Sequence, residues 1–336
     1  MLINVAAALV AILVEILLYM MLRRRSFSTS FGDLRYGALV SLARASLMRL
    51  RSLPMDPRNW RPHILVYTDE PERRVDLIRF GSWLNQNRGI LTVCSLFEGS
   101  IDELAPLLPE RVAEVDEVLD REGIVAFAEA EVVRDLETGI LEVCQANGIA
   151  GLTSNTIMLG WSRDHERMAS FLRVVRRAAT LDKSTVLCHL TPRRWSSRLE
   201  RIDVWWGGLE NNGDMLLLFA YLIGANPEWA DARISVKTIA TDAMPVEATR
   251  ANLDALLVRS RIRAEADVVE KGDEHVSEII QRHSREADLV LLGLRAPAPG
   301  GEAELVERLD RLVGDLPTVL MIHAAGPYAG RLLETG

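Results

Sequence analysis

The first apolar run of the chain covers residues 2–22, LINVAAALVAILVEILLYMML, and Glu15 is its single charged residue. As an α-helix this run would be about 30 Å long, which is enough to cross the hydrocarbon core of a bilayer. Its leucine, isoleucine and valine side chains favour insertion by more than one central carboxylate opposes it. We therefore predict a transmembrane helix within residues 1–25.

A second apolar pattern, with helical spacing, covers residues 33–53, DLRYGALVSLARASLMRLRSL, and its arginines fall largely between the apolar positions. This pattern predicts an amphipathic helix within a connector segment, residues 26–58. Such a helix could lie on anionic lipid, or it could pack on a partner subunit or on its own domain, and we favour packing. Pro54 and Pro57 end the helix because proline cannot continue it.

Ten short apolar segments alternate with helical patterns over the rest of the chain. Continuous apolar strands joined by helical crossovers are typical of a parallel sheet that is covered on both faces. The predicted strands form two series, 63–68, 90–97, 124–130, 155–161 and 184–190, and then 202–208, 234–240, 262–269, 288–294 and 317–323.

The two series of strands repeat one plan. Leu159-Gly160 corresponds to Leu292-Gly293, and Thr-Val-Leu at 185–187 corresponds to the same triplet at 318–320, both at a shift of 133 residues. Five-stranded doubly wound units of this size resemble the universal stress protein fold.

We therefore predict an α/β fold with two tandem doubly wound, mostly parallel five-stranded units that form two similar lobes. The first unit covers residues 59–195 and the second covers 196–330, and a polar linker at 190–201 joins them. The transmembrane helix and the connector helix precede these units.

The distribution of charge along the chain predicts where the protein is located in the cell. Residues 23–61 contain nine arginines and two aspartates, a local charge of +7, whereas the whole chain of 336 residues has a net charge of −8. Because basic residues next to a membrane helix stay on the cytoplasmic side, we predict a single-pass protein of the cell membrane with a cytoplasmic bulk. The acidic bulk argues against nucleic acid as a partner.

Motifs for catalysis are missing from the sequence. It contains no G-x-G-x-x-G, Walker A, H-E-x-x-H or G-x-S-x-G motif, and its histidines are scattered. Cys94, Cys144 and Cys188 lie in apolar segments without metal-ligand spacing, which favours buried reduced thiols. We predict that the protein is not an enzyme and that it has no metal site.

A doubly wound unit offers one generic site, the crevice at the carboxyl ends of its strands. In the first unit Thr68, Asp69, Gly160 and Trp161 would line this crevice, and Arg73 at the start of the next helix could meet a phosphate. This hypothesis implies a nucleotide such as ATP. Tight-turn glycines and a helix-capping aspartate would produce the same pattern without a ligand.

The second unit has an equivalent crevice. Its turn glycines would be Gly207, Gly208 and Gly293. The same structural alternative applies to them.

Four motifs in the same order resemble the cytosolic C-terminal domain of cation-chloride cotransporters. They are Asn59-Trp60-Arg61-Pro62, the run 145–161 with Asn155-Thr156 before an apolar strand, Ile202-Asp203-Val204-Trp205-Trp206, and Ala287-Asp288-Leu289-Val290 with Leu-Pro-Thr-Val-Leu at 316–320. We expect Asn59 to Pro62, Asp203, Trp205 and Trp206 to be structural. The loop at 210–214 departs from the two acidic residues and two glycines of the family.

This resemblance implies a homodimer whose cytosolic domains pair beneath the membrane. Residues 1–22 would then be the last transmembrane helix, and 33–53 the connecting helix. Family members carry Na+, K+ and Cl− together, and some bind ATP in the first cytosolic unit. The helices that hold the ion sites would come from a missing part of the same gene or from a neighbouring gene, so we do not expect this chain to transport ions alone.

The competing hypothesis is a single-pass sensor that binds a nucleotide. It rests on the likeness to universal stress proteins and on the crevice residues, and not on the four motifs.

Overall fold

The described part of the chain divides into two compact units, residues 1–53 and 54–336. The computed structural model describes residues 12–17, 31–53, 60–149, 151–191, 198–207, 212–240, 245–327 and 329–330.

The first unit contains the predicted connector helix. Helix α1 covers Phe31–Arg51, and residues 12–17 are also helical. Leu39 and Leu42 on α1 are about two-thirds exposed. The prediction of a helix between the apolar run and the first proline is therefore confirmed.

In the parts of the chain that the structure covers, no helix has both the length and the apolar character needed to cross a membrane. Most of residues 1–25 lies outside those parts, so the transmembrane helix stays a prediction.

The described part of the second unit has a main sheet of ten strands, β1–β10, and eight longer helices, α2–α9. In the first half, residues 60–191, the elements are β1 Ile64–Thr68, α2 Val75–Asn85, β2 Leu91–Glu98, α3 Leu108–Glu122, β3 Phe127–Val133, α4 Leu136–Ala146, β4 Thr156–Gly160, α5 His165–Ala179 and β5 Ser184–His189. In the second half, residues 198–330, they are β6 Arg201–Trp205, α6 Gly213–Gly224, β7 Arg233–Ala240, α7 Val246–Ser260, β8 Glu265–Glu270, α8 Val276–Ser284, β9 Leu289–Gly293, α9 Glu302–Val313 and β10 Val319–His323.

Short elements complete the second unit. They are a helical turn at Ile101–Leu104, 3-10 turns at Ala105–Leu107 and Pro227–Trp229, and a hairpin of Gly148–Ile149 with Leu152–Thr153.

All ten predicted strands are present, and their ends differ from the predicted ones by no more than three residues. Differences of three residues occur at both ends of β3, at the end of β6 and at the start of β8. At 124–126 and 262–264 the prediction includes residues of the loop between a helix and the strand. Periodicity alone does not separate such loop residues from strand residues.

The two halves share one strand order. Along the sheet the order is β8-β7-β6-β9-β10-β5-β4-β1-β2-β3, so each half has its third, second, first, fourth and fifth strands side by side. Every neighbouring pair within a half is parallel. The predicted fold class, two doubly wound and mostly parallel five-stranded units, is confirmed.

The halves meet at an antiparallel pair that the sequence did not predict. Strand β5 pairs with β10, with Leu187 opposite Met321 near the middle of the register. The fifth strand of one half therefore pairs with the fifth strand of the other, and the described strands of both halves form a single ten-stranded sheet. The predicted boundary at residues 195 and 196 lies outside the described residues.

Helices cover both faces of this sheet and extend the junction. Side chains of α2, α3, α6 and α7 form the core on one face, and side chains of α4, α5, α8 and α9 form the core on the other. On the second face α5 of the first half packs against α9 of the second. Arg176 pairs there with Glu302, and His165 Nε2 lies 2.9 Å from Asp310 Oδ2.

On the first face α2 packs against α6, and two tryptophans meet. The rings of Trp83 and Trp229 lie 5.6 Å apart at an angle of 89°, an edge-to-face contact between the halves. Gln86 Nε2 donates to the Leu222 carbonyl at 2.6 Å, and Asn226 Nδ2 donates to the Trp83 carbonyl at 3.0 Å. The halves are thus joined by the sheet and by a helix pair on each face.

Because the core on each face contains residues of both halves, we expect the halves to unfold together. Trp229→Ala should lower the free energy of unfolding by about 3–5 kcal/mol, since it leaves a large cavity at the junction. Urea unfolding followed by tryptophan fluorescence and by far-UV circular dichroism checks this.

The matched control is Val258→Ala on α7, a residue that is 80% exposed. Its free energy of unfolding should stay within about 0.5 kcal/mol of the parent value. Two separate transitions in the parent chain would contradict the shared core.

Candidate functional site

A crevice opens at the carboxyl ends of β1 and β4 in the first half. Strand β1 lies between β2 and β4, so the helices after β1 and β4 lie on opposite faces and leave a gap at this switch point. The crevice is lined by Tyr67, Thr68, Asp69, Arg74, Leu77, Leu96, Leu136, Ile140, Leu159, Gly160, Trp161, Ser162, Arg167 and Phe171.

Four of the five predicted site residues lie in this crevice, namely Thr68, Asp69, Gly160 and Trp161. The fifth, Arg73, does not. Its Nη1 lies 2.8 Å from Glu70 Oε2, its side chain is 81% exposed, and it borders a separate surface depression.

Arg74 and Arg167 supply the positive charge that we had expected from Arg73. Arg74 Nε lies 4.0 Å from Asp69 Oδ1, and Arg167 Nη1 lies 3.9 Å from Asp69 Oδ2. Arg74 is the residue immediately before α2, and Arg167 lies in the first turn of α5. The sequence offered a signal for Arg167, because the helix after β4 begins at the same edge of the sheet as β1 ends.

Two hydroxyl groups in the crevice have different surroundings. The Tyr67 hydroxyl donates to the Ile140 carbonyl at 2.8 Å, and burial raises the pKa of Tyr67, so it stays a neutral donor. The Thr68 side-chain oxygen is buried and has no hydrogen-bond partner among the described residues. A buried hydroxyl without a partner is costly, which makes Thr68 a point where a ligand atom could bind.

The size of the crevice limits what it holds in this conformation. Its volume is about 60 Å³, whereas pockets for drug-sized ligands measure about 300–1,000 Å³. The Arg74 side chain contributes to this, because a Cβ added at Gly160 would lie 3.0 Å from Arg74 Nη1. The crevice therefore suits a group of phosphate size and not a whole nucleotide.

The first predicted motif holds the start of β1. Trp60, Arg61 and Pro62 lie in the described chain, whereas Asn59 lies outside it. The Asn155 amide, from the second motif, donates to the Arg61 carbonyl at 2.7 Å and accepts from the backbone N–H of residue 63 at 3.0 Å. The two motifs therefore contact each other through these hydrogen bonds.

Gly89 packs closely against the backbone of the first motif. A Cβ at Gly89 would lie 2.2 Å from the Pro62 carbonyl oxygen, so no larger residue fits beside this turn. The Asn85 side chain donates to the same carbonyl at 3.0 Å.

The fourth motif repeats this arrangement in the second half. Asp288 lies 133 residues after Asn155, and its Oδ2 accepts from the backbone N–H of Glu200 at 2.6 Å and of Arg201 at 2.9 Å. In each half a polar side chain before the fourth strand thus holds the start of the first strand. The two halves therefore repeat the hydrogen bonds at the start of the first strand as well as the strand order.

The third motif builds a buried polar network. Asp203 is fully buried, and its carboxylate accepts from Arg201 Nε at 2.9 Å and from the Ser284 hydroxyl at 2.7 Å. Trp205 Nε1 donates to the same Ser284 oxygen at 2.9 Å. The Arg201 pKa is raised, chiefly by its hydrogen bond to Asp203. The expectation that Asp203 and Trp205 are structural agrees with these contacts.

The two tryptophans of the motif face opposite sides of the sheet, as side chains of consecutive residues do. Trp205 is buried in the core beneath α8, and Trp206 packs at the edge of the core on the other face. A Cβ at Gly213 would lie 2.3 Å from the Trp206 ring, so the indole lies directly on the first turn of α6.

The three cysteines are buried and unpaired, as predicted. Burial raises the pKa of the Cys94 and Cys188 thiols, so neither is a thiolate near neutral pH.

One family model matches the chain, that of solute carrier family 12, over residues 178–271. The matched segment begins in the last turn of α5 and ends just after β8, so it includes Arg201, Asp203 and Trp205 but not Ser284, and it lies mostly in the second half.

Solved structures match most of the chain. The crystal structure of the cytoplasmic domain of a prokaryotic cation chloride cotransporter is 18% identical, with a TM-score of 0.57 over 81% of this chain and 98% of that one. A universal stress protein from Archaeoglobus fulgidus is 14% identical, with a TM-score of 0.54 over 80% of this chain and 99% of that one. The resemblance that the four motifs indicate is confirmed, and so is the fold.

Removing one partner from the Asp203 network should destabilise the protein strongly. We expect Asp203→Ala to lower the free energy of unfolding by about 3–5 kcal/mol, because it leaves the Arg201 guanidinium partly buried without its carboxylate. Chemical unfolding of the full chain measures this.

Arg198→Ala is the matched control, because its ion pairs with Glu200 and Asp231 are exposed to solvent. Surface ion pairs contribute about 0–1 kcal/mol, so this variant should unfold close to the parent. Equal losses in the two variants would contradict a special role for the network.

Proposed function

We propose that this chain is the cytosolic regulatory and dimerisation part of a secondary transporter of the cation-chloride cotransporter type. The observation that carries the proposal is the agreement of two comparisons, since the solute carrier family 12 model matches residues 178–271 and a cotransporter cytoplasmic domain shares the fold over 81% of the chain. The four motifs support it as well.

In this proposal the chain regulates transport and does not move ions itself. The transported ions are Na+, K+ and Cl−, and the helices that bind them belong to another part of the same gene or to a neighbouring gene. Residues 1–25 anchor the domain at the cell membrane, and α1 connects them to the α/β unit.

The architecture suits a regulatory domain because three sets of contacts join its halves. The shared sheet and one helix pair on each face connect them, so packed side chains link a contact surface on one half to the other half. Helix α1, with its exposed leucines, is available for contact with protein or lipid.

The gene neighbourhood tests the transporter assignment. We expect a gene for a multi-helix permease that stops one helix short to adjoin the gene for this chain. A solitary gene, together with full stability of the purified chain without a partner, would contradict the proposal.

We place the dimer contact at the edge of the sheet formed by β3. Val125, Phe127 and Ile149 are each more than 60% exposed, and Phe127 and the hairpin that carries Ile149 border one depression of about 260 Å³. Exposed apolar groups of this kind on a sheet edge typically mark an interaction surface.

The contact is made by side chains and not by strand pairing. Glu129 and Glu131 lie on β3, and like charges on an edge strand disfavour its pairing with a second copy of itself. Burial and then the Glu131 charge raise the Glu129 pKa.

Multi-angle light scattering of the full chain should give twice the 37.5 kDa mass of one chain. Replacing both Phe127 and Ile149 by glutamate should shift the protein to the monomer, because it places charge in an apolar contact. Val258→Glu is the control, since Val258 is exposed on α7, away from this edge.

A monomeric parent chain would contradict dimerisation. A dimer that persists in the Phe127 and Ile149 variant, or one that Val258→Glu disrupts equally, would contradict the β3 edge as the contact.

A second candidate function, nucleotide sensing at the first-half crevice, is favoured by the unpartnered Thr68 hydroxyl in a crevice that Arg74 and Arg167 also line. If ATP binds there, its phosphate would contact Arg74 and Arg167, so replacing either by alanine should weaken binding by roughly tenfold. Arg73→Ala is the matched control and should leave the affinity unchanged. Calorimetry of the full chain with ATP checks this, and absence of heat would remove the candidate.

A further inference from the structure

The second half has its own crevice, and it is far larger than that of the first. It opens at the carboxyl ends of β6 and β9, where β6 lies between β7 and β9, and its volume is about 660 Å³. A volume within about 300–1,000 Å³ is typical of small-molecule sites, and this switch point is where doubly wound sheets bind ligands.

The two crevices differ in the side chain at one pair of equivalent positions. Arg74 and Asn212 occupy equivalent positions, since each is the residue immediately before the helix that follows the first strand of its half. Each side chain also lies beside the glycine that ends the fourth strand, Gly160 or Gly293. The crevice with the long arginine measures about 60 Å³, and the crevice with the short asparagine measures about 660 Å³.

Asn212 is held away from the open space by its hydrogen bonds. Its Nδ2 donates to the Leu294 carbonyl at 3.1 Å, and its Oδ1 accepts from the Ala324 backbone N–H at 2.8 Å. The buried amide therefore ties the ends of β9 and β10 together. Because these hydrogen bonds hold the Asn212 amide at the wall, its side chain does not extend across the crevice, and the space remains accessible.

The walls of the crevice are mostly apolar. Trp206, Ile239, Ile280 and Leu312 line it, and Val276, also in the lining, is 46% exposed. The Trp206 indole rests on the first turn of α6 and presents a flat surface. A planar apolar group is the chemistry that these walls would bind.

Charged groups lie in the lining of the same crevice. Lys271 follows β8 and Arg295 follows β9, and the carboxylate in the described lining is Asp214. The first turn of α6, Gly213–Gly224, also opens here, and a helix N-terminus favours negative charge. The described lining thus has two cations and one carboxylate, a balance that favours an anionic ligand.

We propose that the second-half crevice binds a small anionic molecule with a planar apolar body. The planar body lies against Trp206 and the apolar wall, and the anionic group meets Lys271 and Arg295. This site is separate from the first-half crevice and does not depend on the transporter assignment.

The probe for this site is 1-naphthalenesulfonate, which has one planar apolar body and one negative charge. Calorimetric titration of the full chain should give one molecule bound per chain. Lys271→Gln together with Arg295→Gln should weaken the affinity by roughly tenfold, since charge-assisted contacts are lost.

A second variant tests the cavity itself. A Cβ added at Gly207 would have no atom within 4 Å, so Gly207→Phe places a ring in open space without displacing the backbone. We expect this variant to abolish binding while its thermal unfolding stays unchanged.

Arg259→Gln together with Arg285→Gln is the matched control, because both arginines are exposed and neither lines the crevice. It removes the same charge and should bind as the parent does. The proposal is overturned if the parent gives no binding heat, or if the Lys271 and Arg295 variant and the Gly207 variant both bind with the parent affinity.

Discussion

The antiparallel pairing of β5 with β10 is the interaction on which the rest of the structure depends. It joins two doubly wound halves edge to edge through buried apolar residues such as Leu187 and Met321. The pair removes one exposed edge from each half, and the helix pairs α5 with α9 and α2 with α6 then close over it. A parallel sheet is stable only when both faces are covered, and this junction lets the two halves cover a single sheet together.

Polar side chains of the sequence motifs hold the first strand of each half. Asn155 and Asp288 hold the starts of β1 and β6, and the Asp203 network holds β6 to α8. Each of these polar side chains is held by hydrogen bonds that favour one backbone arrangement. The same hydrogen bonds offset the free-energy cost of burying the polar group. Their equivalence between the halves is evidence of one duplicated unit.

Duplication leaves the halves free to differ at their crevices. Equivalent positions carry Arg74 in one half and Asn212 in the other, and the two crevices measure about 60 Å³ and about 660 Å³. Both lie at the carboxyl ends of strands, so the fold provides their position.

The sequence by itself determined the ten strands, the connector helix, the doubly wound class and the repeat, because continuous apolar runs and a constant spacing of 133 residues are local properties of the chain. It also placed Thr68, Asp69, Gly160 and Trp161 at one crevice, since strand ends share one edge of a parallel sheet. Only the tertiary structure decided that Arg74 and Arg167 face the crevice while Arg73 faces Glu70, because the direction of a side chain depends on where its helix begins. It alone decided the antiparallel junction, since pairing between strands far apart in sequence depends on contacts that no local pattern records.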